Sequence, residues 1–254
     1  MQEDQSAAVS TLAGIRHERF AALGSTNGEA LTRVRTGERG PLWISAERQT
    51  AGRGRRGNAW VSPPGNLYAT LLLTEPCVPA LAPQLSFVAG LAEYDAAARC
   101  APDIASSLKL KWPNDLLLDG KKLAGLLIES ESPPFAVAIG IGVNCSTSPS
   151  DTTYPATDLG TAGAAVAPLH LLSNLAAALN RRLGQWQSGL GFPSIRSDWL
   201  TRAAGLGTPI KVRLPERELD GIFEGIDEAG QLVLATGAST QTIAAGEVFT
   251  LGRG

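Results

Sequence analysis

Apolar residues alternate with polar ones, or fill short runs, in several segments of the N-terminal part of the chain, and this pattern predicts β-strands. We assign strands to residues 41–49, 66–74, 107–120, 121–132 and 135–146. The second of these, NLYATLLLT, is apolar at most positions, which is typical of a central strand. Asp119-Gly120 joins two of the segments and predicts a tight hairpin turn.

Helical spacing of apolar residues indicates the other elements. Leucines and Trp186 recur at this spacing over residues 168–187, which predicts an amphipathic helix with its apolar stripe in the core. Three more helices are predicted over residues 25–37, 82–101 and 194–204. At the start of the first, we expect Thr26 to act as the cap and Glu29 to complete a capping box. The free N–H groups of such a helix start favour anions and polar acceptors.

The pattern changes after Gly205, where five short strand-like segments follow one another with glycine turns between them. This predicts a small β-barrel appended to a mixed α/β domain. Residues 146–167, rich in threonine, alanine and proline, are expected to form a loop. We therefore divide the chain into a flexible tail (1–14), a main domain (15–205) and a small barrel (206–254).

The composition narrows the class of protein. The chain has 254 residues, of which 44% are apolar and 18% charged, and its formal net charge is −2, which argues against broad electrostatic binding to nucleic acid. No apolar run approaches the roughly 20 residues of a membrane helix, and the acidic N-terminus does not form a secretory signal. Three widely spaced cysteines predict reduced thiols in a cytoplasmic protein. The chain has only two histidines, His17 and His170, far apart in sequence, which excludes a His-rich metal site; both are expected at the surface or at a sheet edge.

One loop nevertheless concentrates positive charge. In the stretch ERQTAGRGRRGNAW, three arginines and three glycines occupy the six residues from Gly52 to Gly57. The residues alone leave four interpretations open: a solvated surface loop, a nucleic-acid-binding patch, a phosphate cradle or an active-site lid. The loop lacks the Gly-Lys-Ser/Thr ending of a nucleotide P-loop, and no helical pattern follows it as in a dinucleotide-binding turn.

A second polar cluster lies farther along the chain. The stretch KLKWPNDLLLDGKKLAG places lysine, tryptophan, asparagine and aspartate side chains around Pro113, with further lysines on the returning strand. Because proline cannot donate to a strand ladder, we expect an edge strand or a bulge here. Bulges redirect side chains and cluster at active sites.

Together these stretches resemble those of the biotin protein ligases. The matching pieces occur in the family's order within residues 18–251; they are Ser25-Thr26-Asn27, Gln49 with the Gly52–Gly57 loop, Lys111-Trp112-Pro113-Asn114-Asp115, Lys122-Leu123-Ala124-Gly125, Gly142-Val143-Asn144 and YPATDL (154–159). The resemblance implies an α+β fold: a mixed or antiparallel sheet with packed helices, as in the biotin/lipoate ligase-like catalytic domain, plus a C-terminal SH3-like β-barrel. It favours the cradle and lid interpretations of the loop, because arginines would hold an anion while glycines allow the loop to open.

The resemblance implies a two-step reaction. The carboxylate of biotin attacks the α-phosphate of ATP to give biotinyl-5′-AMP and pyrophosphate, and a lysine of a biotin carboxyl carrier protein then displaces AMP. ATP and biotin are the expected substrates, with Mg²⁺ on the phosphates. Arg55, Lys122 and Asp115 are the catalytic candidates. Two roles stay open for Asp115: the base that accepts the amine's proton, or a structural partner of a nearby lysine.

Binding residues are carried over position by position from the resemblance. For biotin they are Ser25, Thr26, Asn27, Gln49, Gly52, Arg53, Gly54, Arg55, Lys122 and Gly125. For ATP and the adenylate they are Arg55, Arg56, Trp60, Lys111, Asn114, Lys122 and Asn144. Thr26 could also cap its helix, and Trp60 could either stack on adenine or pack in the core.

Rival functions share some of these features. A lipoate ligase or octanoyltransferase has the same fold but is not expected to carry the arginine-rich loop of residues 52–57 or the small barrel. The residues are also compatible with a nucleic-acid-binding protein and with a biotin sink that lacks transfer activity. Only 24 residues precede Ser25, too few for the DNA-binding module of some bacterial family members, so we expect no DNA binding. We expect no membrane partner either, and both monomers and homodimers occur in the family.

Overall fold

A computed structural model describes residues 7–250 except 151, 153 and 238. The first strands along the described chain are β1 (Ala8–Leu12), β2 (Ile15–Leu23), β3 (Leu42–Gln49), β4 (Leu67–Thr74), β5 (Leu108–Lys111), β6 (Asp115–Leu118), β7 (Lys121–Glu131) and β8 (Ala136–Val143). The helices are α1 (Thr26–Arg35), α2 (Leu85–Cys100), α3 (Pro168–Trp186) and α4 (Phe192–Thr201). The C-terminal strands are β9 (Pro209–Arg213), β10 (Glu218–Ile226), β11 (Leu232–Thr236), β12 (Ser239–Ile243) and β13 (Glu247–Thr250). A membrane-spanning helix is not found in the described part of the chain.

The first eight strands form one mixed sheet in the order β1-β2-β3-β4-β8-β7-β6-β5. β2 and β3 are parallel because α1 connects them as a crossover, and the other neighbouring pairs are antiparallel. Asp119 and Gly120, with φ of 49° and 74°, form the predicted tight turn between β6 and β7. The single strand predicted over residues 107–120 is instead the antiparallel pair β5 and β6. Pro113 lies in the turn between them, so the edge strand β5 loses no ladder donor to it.

The sheet buries a different core on each face. On one face α2, α3 and α4 enclose a large core that includes Trp43 and Ile139. On the other face α1 covers a smaller core that includes Ile44 and Ala138. The pairs Trp43/Ile44 and Ala138/Ile139 show the two-residue alternation of strands buried on both faces. On β8 the large aliphatic side chains face the large core, so the face toward α1 carries only alanine and glycine.

The all-β unit predicted after Gly205 is confirmed. Its strands form one antiparallel sheet in the order β12-β11-β10-β9-β13, with β12 and β13 at opposite ends. This unit packs on the main domain and shares its large core. The indole N–H of Trp112 donates to the Gly230 carbonyl oxygen at 3.1 Å, and Arg196 donates to the carbonyl of Ile226. The C-terminal unit is therefore held close to the β5–β6 turn.

The N-terminal residues differ from the sequence-based prediction. β1 pairs with β2 where a flexible tail was expected through residue 14, and residues 1–6 of that tail lie outside the described part. β2 lacks a clear apolar alternation because two of its buried positions are His17 and Glu18. Both are hydrogen-bonded: His17 Nε2 lies 2.7 Å from Ser45 Oγ, and Glu18 lies 2.9 Å from Arg33. The expectation that His17 lies at the surface or at a sheet edge is wrong: it is 3% exposed and lies on β2, between β1 and β3, where these contacts satisfy its ring nitrogens.

The start of α1 also differs in detail from the prediction. The N-cap is Ser25 instead of Thr26, and its hydroxyl oxygen accepts a hydrogen bond from the N–H of Gly28. Glu29 does not complete a capping box, because its carboxylate pairs with Arg33 one turn later at 2.6 Å. Thr26 is thereby free to hydrogen-bond with residues of the neighbouring strands.

Candidate active site

A cavity of about 500 Å³ lies where the start of α1, the arginine loop (residues 52–57), the β5–β6 turn and β13 meet. Every predicted site residue lines it except Gly52. Gly52 has a structural role instead, because a Cβ there would lie 2.5 Å from the Trp60 carbonyl oxygen and 2.6 Å from Ser62 Oγ. The absence of a side chain lets the Gly52 carbonyl accept the Trp60 N–H at 2.9 Å, which closes the base of the loop.

One part of the cavity carries a network of uncharged polar groups. Gln49, the last residue of β3, accepts the Thr26 N–H at 2.8 Å and the Thr26 hydroxyl at 3.2 Å through Oε1. Its Nε2 donates to Ser62 Oγ at 3.0 Å. The buried hydroxyl of Thr70 lies 2.8 Å from Thr26 Oγ1 and 2.7 Å from Asn27 Oδ1. Because these groups bond to one another, their positions are set before any ligand binds.

The network leaves a defined set of hydrogen-bonding positions for a ligand. Asn27 commits both amide hydrogens to the protein, donating to the Leu127 carbonyl at 3.1 Å and to Glu129 Oε2 at 2.8 Å. The side chain of Asn27 can therefore interact with a ligand only as an acceptor, through Oδ1. Among the described residues, the Ser25 hydroxyl hydrogen and the second Nε2 hydrogen of Gln49 have no acceptor, so both can donate. These groups suit a small ring that carries both N–H and C=O.

Two glycines on β8 make room for side chains above the sheet. A Cβ on Gly140 would lie 2.4 Å from Asn27 Oδ1, and a Cβ on Gly142 would lie 2.7 Å from the indole ring of Trp60. Trp60 therefore packs against the sheet and also lines the cavity. Its indole N–H is buried on the sheet side and has no acceptor among the described residues.

Another part of the cavity holds a buried carboxylate between two lysines. Asp115 is 8% exposed and lies 3.0 Å from Lys111 Nζ and 2.7 Å from Lys122 Nζ. Strand pairing produces the cluster: Lys111 and Asp115 are register partners across the β5–β6 turn, and the β6–β7 register shifts beside Lys122. Burial raises the pKa of the Asp115 carboxyl, but Lys122 and Lys111 outweigh it, so the net pKa is lowered.

This geometry bears on the two roles considered for Asp115. A carboxylate with a lowered pKa is a weak base, and each of its two oxygens already faces an ammonium group. The cluster therefore supports the structural interpretation, in which Asp115 holds two lysines at fixed positions in the cavity.

Aromatic rings cover both lysines and connect them to the C-terminal unit. Lys111 Nζ lies 3.8 Å from the centroid of the Tyr154 ring, and Lys122 Nζ lies 5.3 Å from that of Trp60. The Tyr154 ring is in turn 6.2 Å from that of Phe249 on β13. The C-terminal unit is thus part of the cavity wall.

The arginine loop folds into a short hairpin at the cavity. Arg53 and Ala59 form a strand-like bridge, and Arg56 and Gly57 at the tip adopt positive φ values of 57° and 77°. The guanidinium of Arg55 donates to Asn114 Oδ1 at 3.2 Å and faces the Gly246 carbonyl oxygen at 3.5 Å.

Arg55 is the arginine of this loop that turns inward. Burial lowers the pKa of its guanidinium, and neighbouring Arg56 lowers it further. Arg56 itself is exposed at the tip. The contacts of Arg55 connect the loop with both the β5–β6 turn and the C-terminal unit.

Asn114 and Asn144 are held by backbone partners at the cavity wall. Asn114 Nδ2 donates to the Leu126 carbonyl at 2.7 Å. Asn144, directly after β8, donates from Nδ2 to the Thr157 carbonyl at 3.0 Å. Both amides keep further hydrogen-bonding capacity for a ligand, because each side chain has two N–H donors and a carbonyl acceptor.

The structure also brings in residues that the sequence analysis did not assign to the site. Glu129 contacts Asn27, and strand alternation from Gly125 on β7 would have placed it on the same face. Thr70 is the fully buried polar residue within the apolar run of β4, which was a usable signal. Phe249 reaches the cavity through packing between the two units, for which the sequence carries no local signal.

Comparisons with known proteins agree with this geometry. Residues 29–144 match the model of the Biotin/lipoate A/B protein ligase family, and residues 205–251 match that of the Biotin protein ligase C terminal domain. A biotin--[acetyl-CoA-carboxylase] ligase of Paracoccus denitrificans is 48% identical over 243 residues, which cover 91% of this chain and 98% of the relative. The chain belongs to the biotin protein ligase family.

Other members of the biotin protein ligase family match over a similar span. The ligase of the same description from Mycobacterium tuberculosis is 35% identical over 239 residues, covering 91% of this chain and 87% of that protein. The structure of a biotin protein ligase from Aquifex aeolicus in complex with biotin and ATP has a TM-score of 0.78 at 26% identity, covering 92% of this chain and 97% of the other. The C-terminal domain match favours a biotin ligase over a lipoate ligase.

Proposed function

We propose that this protein activates biotin with ATP to biotinyl-5′-AMP and then transfers biotin to a lysine of a biotin carboxyl carrier protein. The observation that carries the proposal is one cavity that joins a ring-sized polar network around Thr26 and Gln49 to a cationic cluster around Asp115. The first group suits an uncharged polar ring, and the second suits a reacting carboxylate and phosphates. The Paracoccus relative is named for the corresponding activity.

The hydrogen-bonding positions of the polar network match the ureido ring of biotin. A ureido N–H can donate to Asn27 Oδ1, and the ureido oxygen can accept from the Ser25 hydroxyl and Gln49 Nε2. The apolar body of biotin needs an apolar wall, which the Trp60 ring packed over Gly142 provides in this cavity.

In the first step, an oxygen of the biotin carboxylate attacks the α-phosphorus while the bond to pyrophosphate breaks. Two unit negative charges about 4 Å apart repel each other by roughly 4 kcal/mol at an effective dielectric constant near 20. Lys111, Lys122, Arg55 and Arg56 supply the opposing positive charge, and Asp115 cancels part of it while fixing both lysines. Fixed cations stabilise the developing charge without reorganising during the reaction.

In the second step, a neutral lysine amine of the carrier attacks the acyl carbon, AMP leaves with the bonding electron pair, and the amine releases a proton. The mixed anhydride must survive until that amine arrives, so water has to be excluded from it. The arginine loop is placed for this task, because Arg55 contacts both Asn114 and Gly246. Biotin carboxyl carrier protein is the proposed partner, and a homodimer is the proposed alternative to a monomer.

A magnesium ion bound with ATP fits the residues of the cavity. Within the described residues, its lining carries carboxylates only on Asp115 and Glu247, and clusters of three or more potential metal ligands are not found there. Mg²⁺ suits such a site because it binds through phosphate oxygens, waters and one or two carboxylates. Asp115 is committed to two lysines, which leaves Glu247 to hold the ion. Its chemistry would be to neutralise phosphate charge.

The experiment is a substrate comparison followed by transfer. The protein is incubated with ATP, Mg²⁺ and either biotin or lipoate, and the acyl-adenylate is measured by mass spectrometry. We expect biotinyl-AMP and a far lower yield of the lipoyl product; the reverse preference would contradict the proposal. A carrier domain is then added, with a variant whose acceptor lysine is arginine as the control. Adenylate formation without labelling of the acceptor lysine would indicate a biotin sink.

A further inference from the structure

Glu129 connects the polar network around Thr26 and Gln49 to the arginine loop, because it contacts Asn27 of the network and Arg53 of the loop. Its Oε2 accepts the Asn27 amide at 2.8 Å. The same carboxylate lies 3.1 Å from the guanidinium of Arg53, the first arginine of the loop. Glu129 lies on β7, which is paired with β8 on one side and β6 on the other, so it provides a fixed point for both neighbours.

The contact with Asn27 completes the hydrogen bonding of a buried amide. Asn27 is 3% exposed, and its two amide hydrogens bond to the Leu127 carbonyl and to Glu129. Without an acceptor at position 129, one of those hydrogens would be unpaired or the amide would turn. An unpaired hydrogen would destabilise this orientation of the amide, and a turned amide would remove the acceptor that Asn27 presents to the cavity.

The contact with Arg53 changes the role of that arginine. The resemblance assigns Arg53 to biotin binding, yet here its charge is offset by Glu129. Arg53 also forms the bridge with Ala59 that closes the loop hairpin. An ion pair at the base of this hairpin holds the loop down without using the charge of Arg55 at the cavity.

We propose that Glu129 is a positioning residue that holds the arginine loop closed through Arg53 and orients Asn27 for the ring of the substrate. The Asn27 part rests on the proposed function, while the loop part concerns the free protein. The side chains of Glu129 and Arg53 are 27% and 48% exposed. Because such partly exposed pairs contribute little to global stability, the effect is expected in local loop opening.

The loop part is tested on the ligand-free protein with trypsin, which cuts after arginine. Arg55 and Arg56 lie in the loop, and cleavage there requires the hairpin to open. We expect Glu129→Gln to raise the cleavage rate after these residues by about three- to tenfold. The matched control is Glu131→Gln, two residues on along β7, which breaks a 2.8 Å pair with Arg35 on α1 and does not involve the loop. Equal cleavage of the two variants would overturn the proposal.

A double-variant comparison shows whether Arg53 is the partner through which Glu129 acts. Arg53→Gln should raise cleavage after Arg55 and Arg56 as much as Glu129→Gln does, and the double variant should be cut no faster than either single one. If the two substitutions multiply each other's effect on the cleavage rate, the two side chains act independently, and the proposal that Glu129 holds the loop through Arg53 is overturned.

The Asn27 part is read from the Michaelis constants of adenylate formation. Glu129→Gln keeps an oxygen for the Asn27 amide, whereas Glu129→Leu removes it. We therefore expect the KM for biotin to rise at least about tenfold in Glu129→Leu, with Glu129→Gln well below it and the KM for ATP moving less. Equal KM values for biotin in these two variants would overturn this part. If the parent protein forms no biotinyl-AMP, the proposed function fails, while the trypsin result still tests whether Glu129 holds the loop closed.

Discussion

The carboxyl group of Glu93 allows a quantitative prediction about stability and pH. Glu93 lies on α2, is 2% exposed, and neither of its oxygens has a hydrogen-bond partner among the described residues. Burial raises the pKa of this carboxyl well above its ordinary value; the negative charge of Asp115 adds to the rise and Lys122 partly opposes it. Burial therefore favours the protonated form of Glu93 in the folded protein. The perturbation is Glu93→Gln, which keeps the shape of the neutral acid and removes the ionisation.

The magnitude follows from proton linkage. A raised pKa in the folded state means that the stability associated with this proton is fully present below the unfolded pKa of about 4.5, and is lost as pH rises toward the folded pKa. Over that window the folded protein retains a proton that the unfolded chain has released. The free energy of unfolding of the parent therefore falls, relative to Glu93→Gln, by about 1.4 kcal/mol for each pH unit. Near pH 4 the two proteins should differ little.

The assay is urea unfolding of both proteins between pH 4.5 and pH 7.5, with the difference in unfolding free energy plotted against pH. Glu75→Gln is the control, because its carboxylate is 70% exposed and its substitution should give a flat difference. A difference between the parent and Glu93→Gln that also stays flat between pH 5 and pH 7 would refute the reasoning. Such a result would mean that Glu93 is ionised in the folded protein.

Three further predictions concern the reaction. Lys122→Ala should lower the rate of biotinyl-AMP formation by about 10²- to 10³-fold, whereas urea unfolding should show a smaller defect because Lys111 still neutralises Asp115; an unchanged rate would remove the assignment. Arg55→Gly deletes the contacts to Asn114 and Gly246, so biotinyl-AMP should escape and label lysines of a bystander protein several-fold more than the parent does, and equal labelling would count against a closing loop. In Gly142→Ala the new Cβ would lie 2.7 Å from the Trp60 ring, closer than ordinary contact, so the ring must shift. If Trp60 stacks on adenine, the KM for ATP should rise about tenfold while that for biotin holds, and parallel changes in both would refute the stacking role.

Local pattern was sufficient for the elements whose buried faces are apolar. β4 and α3 were placed within one residue at each end, because burial of a regular apolar face leaves few other arrangements. The Asp119-Gly120 turn was also predicted correctly, since few dipeptides adopt its positive φ values at low energetic cost. The site residues were found from their order along the chain, and nearly all of them line one cavity.

Contacts between distant segments settled what pattern could not. β2 became a strand because Ser45 and Arg33 satisfy its buried polar residues, and neither partner is adjacent in sequence. Glu129 contacts the site because the sheet brings β7 beside both Asn27 and the arginine loop.

Short-range periodicity therefore determined most of the strands and helices, and the resemblance of the ordered motifs supplied the candidates for the chemistry. The partner of each charged or polar side chain was decided only in the folded chain. The physical reason is that a buried face of a strand or helix requires apolar residues at a regular spacing, and this spacing is visible in the sequence itself. A polar group is buried only where another part of the chain supplies its hydrogen bond or counter-charge.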